Sequence, residues 1–240
     1  MRKSLAAVIA ASALGGCQVH AQEGGAGPTV SRSYQVGNFQ QVEVAGPYDV
    51  DVRTGANPSV SAKGSEKLLE KTIVEVKGDK LVIHTENNRG FFHIGWSNRG
   101  KATFTVTVPQ LTGATIAGSG DVRVDKITGQ SFNGTVAGSG GIVIGTMDVQ
   151  TLKLEIAGSG GVKGSGRAQS AQYDIAGSGG VDAGAIQTKD VKVSIAGSGD
   201  VRAHSSGTAN VSIMGSGDVE IAGGAKCSIS KAGSGNVRCS

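Results

Sequence analysis

The tripeptide Gly-Ser-Gly returns seven times in one register, with its first glycine at Gly118, Gly138, Gly158, Gly177, Gly197, Gly215 and Gly233. Successive copies are 20, 20, 19, 20, 18 and 18 residues apart. A self-similar period near 20 residues marks a solenoid, in which each repeat is one coil stacked on the next. Glycine supplies 40 of 240 residues and proline only 4. The glycines sit at fixed phase beside β-branched residues, which sets aside both a collagen-like chain and a low-complexity linker.

Aligning the copies on the first glycine exposes the folding pattern. Two residues before it stand Ile116, Val136, Ile156, Ile175, Ile195, Ile213 and Lys231. Four before it stand Ala114, Gly134, Leu154, Tyr173, Val193, Val211 and Ile229. Polar residues separate the two rows. Apolar-polar alternation resumes after the corner, with Val122, Ile142, Val162, Val181, Val201, Val219 and Val237 four residues past the first glycine. This period of two predicts strands with one buried face, so each coil reads as strand, tight corner, strand and a looser return. A single coil cannot bury its own face, whereas stacked coils can. The expected fold is an all-β parallel β-helix with about 18–20 residues per rung. Gly fits the corner because it accepts positive φ and close backbone approach, and the serines are expected to stack with their hydroxyls on corner backbone groups. Gly164-Ser165-Gly166 is out of phase and reads as a loop.

The first part of the chain is less regular. VEVAGPYDVDV (42–52) reads as a divergent first rung, with Gly46-Pro47-Tyr48 in the corner. SEKLLE (65–70) reads as a short helical turn, KTIVEVKGDKLVIHTE as two strands around Gly78-Asp79, and ATFTVTVP as a strand with Phe104, Val106 and Val108 on one face. Between them lies a loop with three of the chain's nine aromatics, Phe91, Phe92 and Trp96. Exposed aromatics mark partner contacts, and a cover over the end of the solenoid is the competing reading. The segments GNFQQVEVAGPYDVDV, KGDKLVIHTE and VTVPQLTGATIAGSGDV, followed by the tandem corners, resemble the bacterial head GIN domain family, also called autotransporter adhesin heads. The resemblance runs from about Tyr34 onward. It implies an exported, right-handed parallel β-helix, and it brings no established catalytic residues.

Other chemistries have weaker footing. A phosphate loop needs Gly-Lys-Ser/Thr opening a helix, whereas these corners carry no Lys and open Val-rich strands. A calcium-binding β-roll needs stacked oxygens, and only Asp200 and Asp218 occupy consecutive fourth positions of the corner, a weak calcium pair. A serine nucleophile needs a strand-to-helix elbow and a His base, which are not seen. His84, Glu86 and His93 match no standard metal spacing. Cys227 and Cys239 lie six residues before and six after the last corner, both on inward rows. They read either as a disulfide closing the final rung or as two buried thiols. Lys231, on an inward row, reads as a polar cap.

The formal charge of +4 includes Arg2 and Lys3, and without them 21 basic residues face 19 acidic ones. That balance is too weak for a nucleic-acid partner. Residues 1–21 read as a signal peptide, with a charged start and an apolar stretch too short to span a bilayer. Leu14-Gly15-Gly16-Cys17 resembles a lipobox that would lipidate Cys17, while Val19-His20-Ala21 suits ordinary cleavage after Ala21. The favoured destination is the outer membrane as a lipoprotein, with a soluble periplasmic or secreted form as the alternative. Membrane contact is expected only through the lipid. Residues 22–33 are expected to be a flexible linker, 34–110 the divergent rungs with the aromatic loop, and 111–240 the regular rungs. The functional expectation is a non-enzymatic cell-envelope binding, adhesion or scaffolding domain without cofactor or catalytic residues, whose partner is an envelope protein or polysaccharide. A polysaccharide-degrading β-helix enzyme and a purely structural assembly protein are the alternatives.

Overall fold

A computed structural model describes residues 27–86 and 101–240. Cys17, His93 and the loop residues Phe91, Phe92 and Trp96 lie outside the described residues. Strands β1 (Thr29–Tyr34), β2 (Gln41–Ala45), β3 (Tyr48–Thr54) and β4 (Ser59–Ser65) lead into the one-turn helix α1 (Glu66–Glu70). The hairpin of β5 (Thr72–Lys77) and β6 (Lys80–Thr85) follows, then β7 (Ala102–Val108) and β8 (Gly113–Gly118). Next, β9 (Asp121–Gly138), β10 (Gly141–Gly158), β11 (Gly161–Gly177) and β12 (Gly180–Gly197) each run from one corner to the next. The last coils are β13 (Asp200–His204), β14 (Thr208–Gly215), β15 (Val219–Ala222), β16 (Lys226–Ala232) and β17 (Val237–Cys239). All belong to one hydrogen-bonded sheet wound into a β-solenoid.

From β8 onward every pairing is parallel and nearly in register. Gly141 lies against Asp121 and Gly158 against Gly138, and β10 meets β11 in the same way. The N-terminal part mixes senses. β2 is parallel to both β6 and β8, β3 is parallel to β7 and β9, and β4 is antiparallel to β1 and β7. Thus β2 and β3, on either side of Gly46-Pro47, form the rung beneath the first Gly-Ser-Gly corner.

The rows read from the alternation are buried from Ile116 to Ile213 and from Val122 to Val219. Three further inward rows escaped the alternation: Ile127, Met147 and Ile186; Val149, Ala168 and Thr188; and Phe132, Leu152, Ala171, Val191 and Ala209. They follow bends where the strand changes face, which breaks the period of two. One bend is marked by a register shift between Ile144 and Met147. Each fully buried Ile, Leu, Val or Phe in these rows contributes about 1.5–3 kcal/mol. Volume is balanced within a rung. Tyr173 is fully buried on the rung whose other inward positions include Gly164, Ala168 and Ala171. Phe132 shares its rung with Gly134, where a Cβ would come within 2.8 Å of the Leu154 side chain.

The corner works through backbone rather than serine hydroxyls. The N–H groups of Ser159, Ser178, Ser198 and Ser216 each donate to the carbonyl of the first corner glycine one rung earlier, at 2.9 Å. The corner serine side chains point to solvent, contrary to the expected hydroxyl ladder. At Gly138 φ is 127°, and a Cβ would lie 2.3 Å from the Gly118 oxygen, so only glycine fits.

Three further expectations change. Residues 29–33 are strand rather than linker, because β1 pairs along its length with β4 and Arg32 donates to the Leu69 carbonyl at 3.1 Å. The return path of each long rung is not loose but strand-paired throughout, because the inward rows after the bends anchor it. Gly164-Ser165-Gly166 is a bend inside β11, not a loop. Gly166 has φ 130°, and the Ser165 hydroxyl donates to the Gly145 carbonyl of the preceding rung.

Candidate functional site

Outward side chains stack into columns, because successive rungs keep the same phase. Two faces meet at the Gly-Ser-Gly corner. On the face before the corner, Asn133, Lys153, Gln172, Lys192 and Asn210 form one column, and Thr151, Ser170, Asp190 and Thr208 form its neighbour. Between them runs an open groove of about 310 Å³ floored by the strand over Leu152, Ala171 and Val191. Its polar groups are largely tied to one another. Lys153 Nζ meets Glu155 at 2.6 Å, and Gln172 Nε2 donates to Asp174 at 2.6 Å. The Thr208 hydroxyl donates to Asp190 at 2.6 Å. The Thr208 bond holds the Asp190 carboxyl below the usual range, and the Glu155 carboxylate holds Lys153 above its own.

The face after the corner carries a groove of about 380 Å³ over Gly161 and Gly180, edged by Val143, Lys163, Asp182, Asp200 and Arg202. Charges of opposite sign sit on adjacent rungs. Lys163 pairs with Asp182 at 3.1 Å, and Arg202 approaches Glu220 at 3.7 Å. These exposed pairs contribute little to stability, about 0–1 kcal/mol each.

The weak calcium pair has another occupation. Asp200 Oδ1 accepts the Asp218 N–H at 3.1 Å, and Asp218 Oδ1 accepts the Asn236 N–H at 2.9 Å. Asp49 and Asp121 do the same for the Asp121 and Gly141 N–H groups. Where the corner carries Gly instead, the next rung's N–H turns to a glycine carbonyl, as Gly161 does to Gly140. The aspartates are rung-to-rung staples. Among the described residues, no group of three or more His, Cys, Asp or Glu is placed to hold a metal ion. His84 bonds the Glu75 carboxylate at 2.9 Å and the Thr85 carbonyl at 3.1 Å, and the Glu86 N–H donates to Lys71, so neither assembles a metal site with the other.

A side-chain network in the N-terminal part was not legible in the sequence. The Tyr48 hydroxyl sits 3.0 Å from both Thr72 Oγ1 and Thr85 Oγ1, and its ring meets Phe104 edge-on at 5.5 Å. The Lys77 and His84 hydrogen bonds keep the Glu75 carboxyl below the usual range. In the regular part, the Tyr173 hydroxyl is buried and finds no hydrogen-bond partner. Burial drives the Tyr173 phenol pKa well up, with Thr188, whose hydroxyl donates to the Ile186 carbonyl, offsetting it only slightly. Cys227 and Cys239 are joined by a disulfide that ties β16 to β17, with Cα atoms 6.7 Å apart. Lys231, on its inward row, is exposed and donates to the Gly235 carbonyl at 2.7 Å. Among the described residues no helix is long and apolar enough to cross a membrane.

Solved structures share this fold. A "putative adhesin" from Bacteroides fragilis is 22% identical with a TM-score of 0.78, covering 88% of this chain and 97% of its own. A "putative lipid binding protein" from Parabacteroides distasonis is 22% identical with a TM-score of 0.71, covering 90% and 98%. A second protein from that organism, again called a "putative adhesin", is 18% identical with a TM-score of 0.68 over the same shares. At these identities the likeness is one of fold. No curated protein matches the chain in sequence. A family model described as "Putative auto-transporter adhesin, head GIN domain" matches residues 38–225, most of the sequence, and the chain belongs to that head GIN domain family.

Proposed function

We propose that this protein is a non-enzymatic binding module of the bacterial cell envelope, exported by its N-terminal signal segment, cleaved just before Cys17, and held at the outer membrane through the lipidated Cys17. The observation that carries this reading is the pair of open grooves on the faces flanking the Gly-Ser-Gly corner, built from columns repeated rung after rung. Their carboxylates are engaged: Asp182 with Lys163, Asp190 with Thr208, and Asp200 with a backbone N–H. A glycan-cleaving β-helix would instead need free carboxylates with Arg or Lys converging on one bond. The adhesin descriptions of the family and of two structural neighbours support the binding role. The neighbour called lipid-binding adds a second ligand class, which here would have to sit on a face, because the interior is filled by the stacked apolar rows. The aromatic loop of Phe91, Phe92 and Trp96 is proposed as an additional contact.

Residues 22–240, immobilised and exposed to envelope fractions, are expected to retain a component in a saturable way. Release of reducing sugar from envelope or plant polysaccharide would overturn the reading. Phe91→Ala combined with Trp96→Ala is expected to weaken retention while leaving the melting temperature in place. A large loss of stability would instead assign the loop to covering the solenoid. The mass of the mature N-terminus tests Cys17, with a lipid-modified cysteine expected.

A further inference from the structure

We infer that the groove on the face before the corner binds a neutral, linear polysaccharide. The inference rests on the reading of the chain as a binding module. Its basis is the chemistry of the lining. Asn133, Gln172 and Asn210 present amides along one wall, alternating with Lys153 and Lys192, and Thr151, Ser170 and Thr208 present hydroxyls along the other, interrupted by Asp190. Gln172 and Thr208 spend a donor on Asp174 and Asp190 respectively and keep their oxygen as an acceptor. Amides and hydroxyls each offer a donor and an acceptor, which is the pattern of a sugar hydroxyl. The charges present do not select a charged ligand. Lys153 is matched by Glu155 at 2.6 Å, and Asp190 lies in the same groove as Lys192. A cationic or anionic polymer would meet no net field of opposite sign, and would lose hydration without compensation.

The geometry adds a match of period. The groove crosses the rungs from Asn133 to Asn210 over about 19 Å, and stacked strands repeat at about 4.8 Å, so the amides of Asn133, Gln172 and Asn210 recur at every second rung, about 10 Å apart. An unbranched pyranose chain advances by close to one rung spacing per sugar. Every second sugar laid along the groove therefore meets an amide of the same wall. Such a site is weak per sugar and gains strength from repetition. The strand over Ala171, the smallest inward side chain under the groove, floors its middle.

Affinity electrophoresis of the mature protein through gels containing mannan, a neutral β-glucan, or polygalacturonate tests the inference. Retardation by a neutral polymer is expected. Gln172→Ala should weaken it about fivefold, and Gln172→Ala with Asn210→Ala about twentyfold, while Lys163→Ala on the other face leaves it unchanged. Thermal melts of the same variants separate lost binding from lost folding, and Gln172→Asn serves if the alanine variant is unstable. Retardation by polygalacturonate alone overturns the inference, as does equal retardation of wild type and double variant. If no polysaccharide retards the protein while an envelope fraction still retains it, this inference fails and the binding-module reading stands. If neither is observed, both fail.

Discussion

The regular rungs and the N-terminal part hold the same kind of core by different means. From Gly118 onward, one rung is tied to the next by backbone: parallel ladders, corner N–H to carbonyl bonds and aspartate staples. Before it, strands of both senses meet and side chains make the ties, with Tyr48 bridging Thr72 and Thr85 and Lys77 and His84 converging on Glu75. Backbone ties repeat wherever the corner repeats. Side-chain ties are particular to one place. Damage to the first kind should therefore depend on corner geometry, and damage to the second on individual functional groups.

The largest effect is expected at the corner. Gly138→Ala puts a Cβ against the Gly118 oxygen at positive φ and should cost about 4 kcal/mol or prevent folding. Gly161→Ala, at the corner of the next repeat, has its nearest atom at 3.5 Å and should be neutral or stabilise by about 0.5 kcal/mol. Urea titration of both variants checks the contrast, and equal effects would break it. Next comes the disulfide. Opening the Cys227–Cys239 link, which spans 12 residues, should cost up to about 3 kcal/mol by the loop-entropy argument. Hydrogen exchange should place the loss in β16 and β17 and leave β9 to β12 protected.

The two buried tyrosines sharpen the comparison further. Tyr48→Phe removes a hydroxyl shared by two threonines and should cost about 2 kcal/mol. Tyr173→Phe removes a buried hydroxyl with no partner and should gain about 1 kcal/mol. Calorimetric melts of the pair should therefore move in opposite directions. The smallest effect belongs to Glu75. Its folded pKa is depressed, so its contribution is present above the ordinary carboxylate pKa of about 4.3 and is lost as pH falls through the lower folded value. The melting temperature of wild type should exceed that of Glu75→Gln near neutrality, and the gap should close on acidification below about pH 4. A gap independent of pH would remove the ion-pair explanation.

The solenoid, its period and three of its inward rows were readable because stacking forces equivalent residues into equivalent environments. Ile156 is buried for the same reason as Ile175. The rows of Ile127 and Phe132 were not readable, because the bend after Val124 changes which residue faces inward and local alternation cannot register a change of face. Residues 29–33 of β1 looked like linker, since the strand's alternation of half-buried and exposed residues is weak without β4 beside it. The site was legible only in part. The corner aspartates announced themselves by spacing, but their role depended on where the next rung's N–H points. The groove walls, Thr151 to Thr208 and Asn133 to Asn210, look like ordinary solvated surface until the coils are stacked.

The unequal rung lengths carry a last implication. Ser206 and Gly207 donate to Thr188 and Lys189, absorbing a shorter repeat at the bend while the strands on either side keep their pairing. Insertions and deletions of one or two residues can therefore be hidden at this edge without disturbing either flat face. A duplicated or deleted coil would alter reach instead, adding or removing one tooth on a comb of fixed pitch. On the inferred polysaccharide-binding role, a change in coil number alone would tune how many sugar units the groove spans, leaving the chemistry of each contact unchanged.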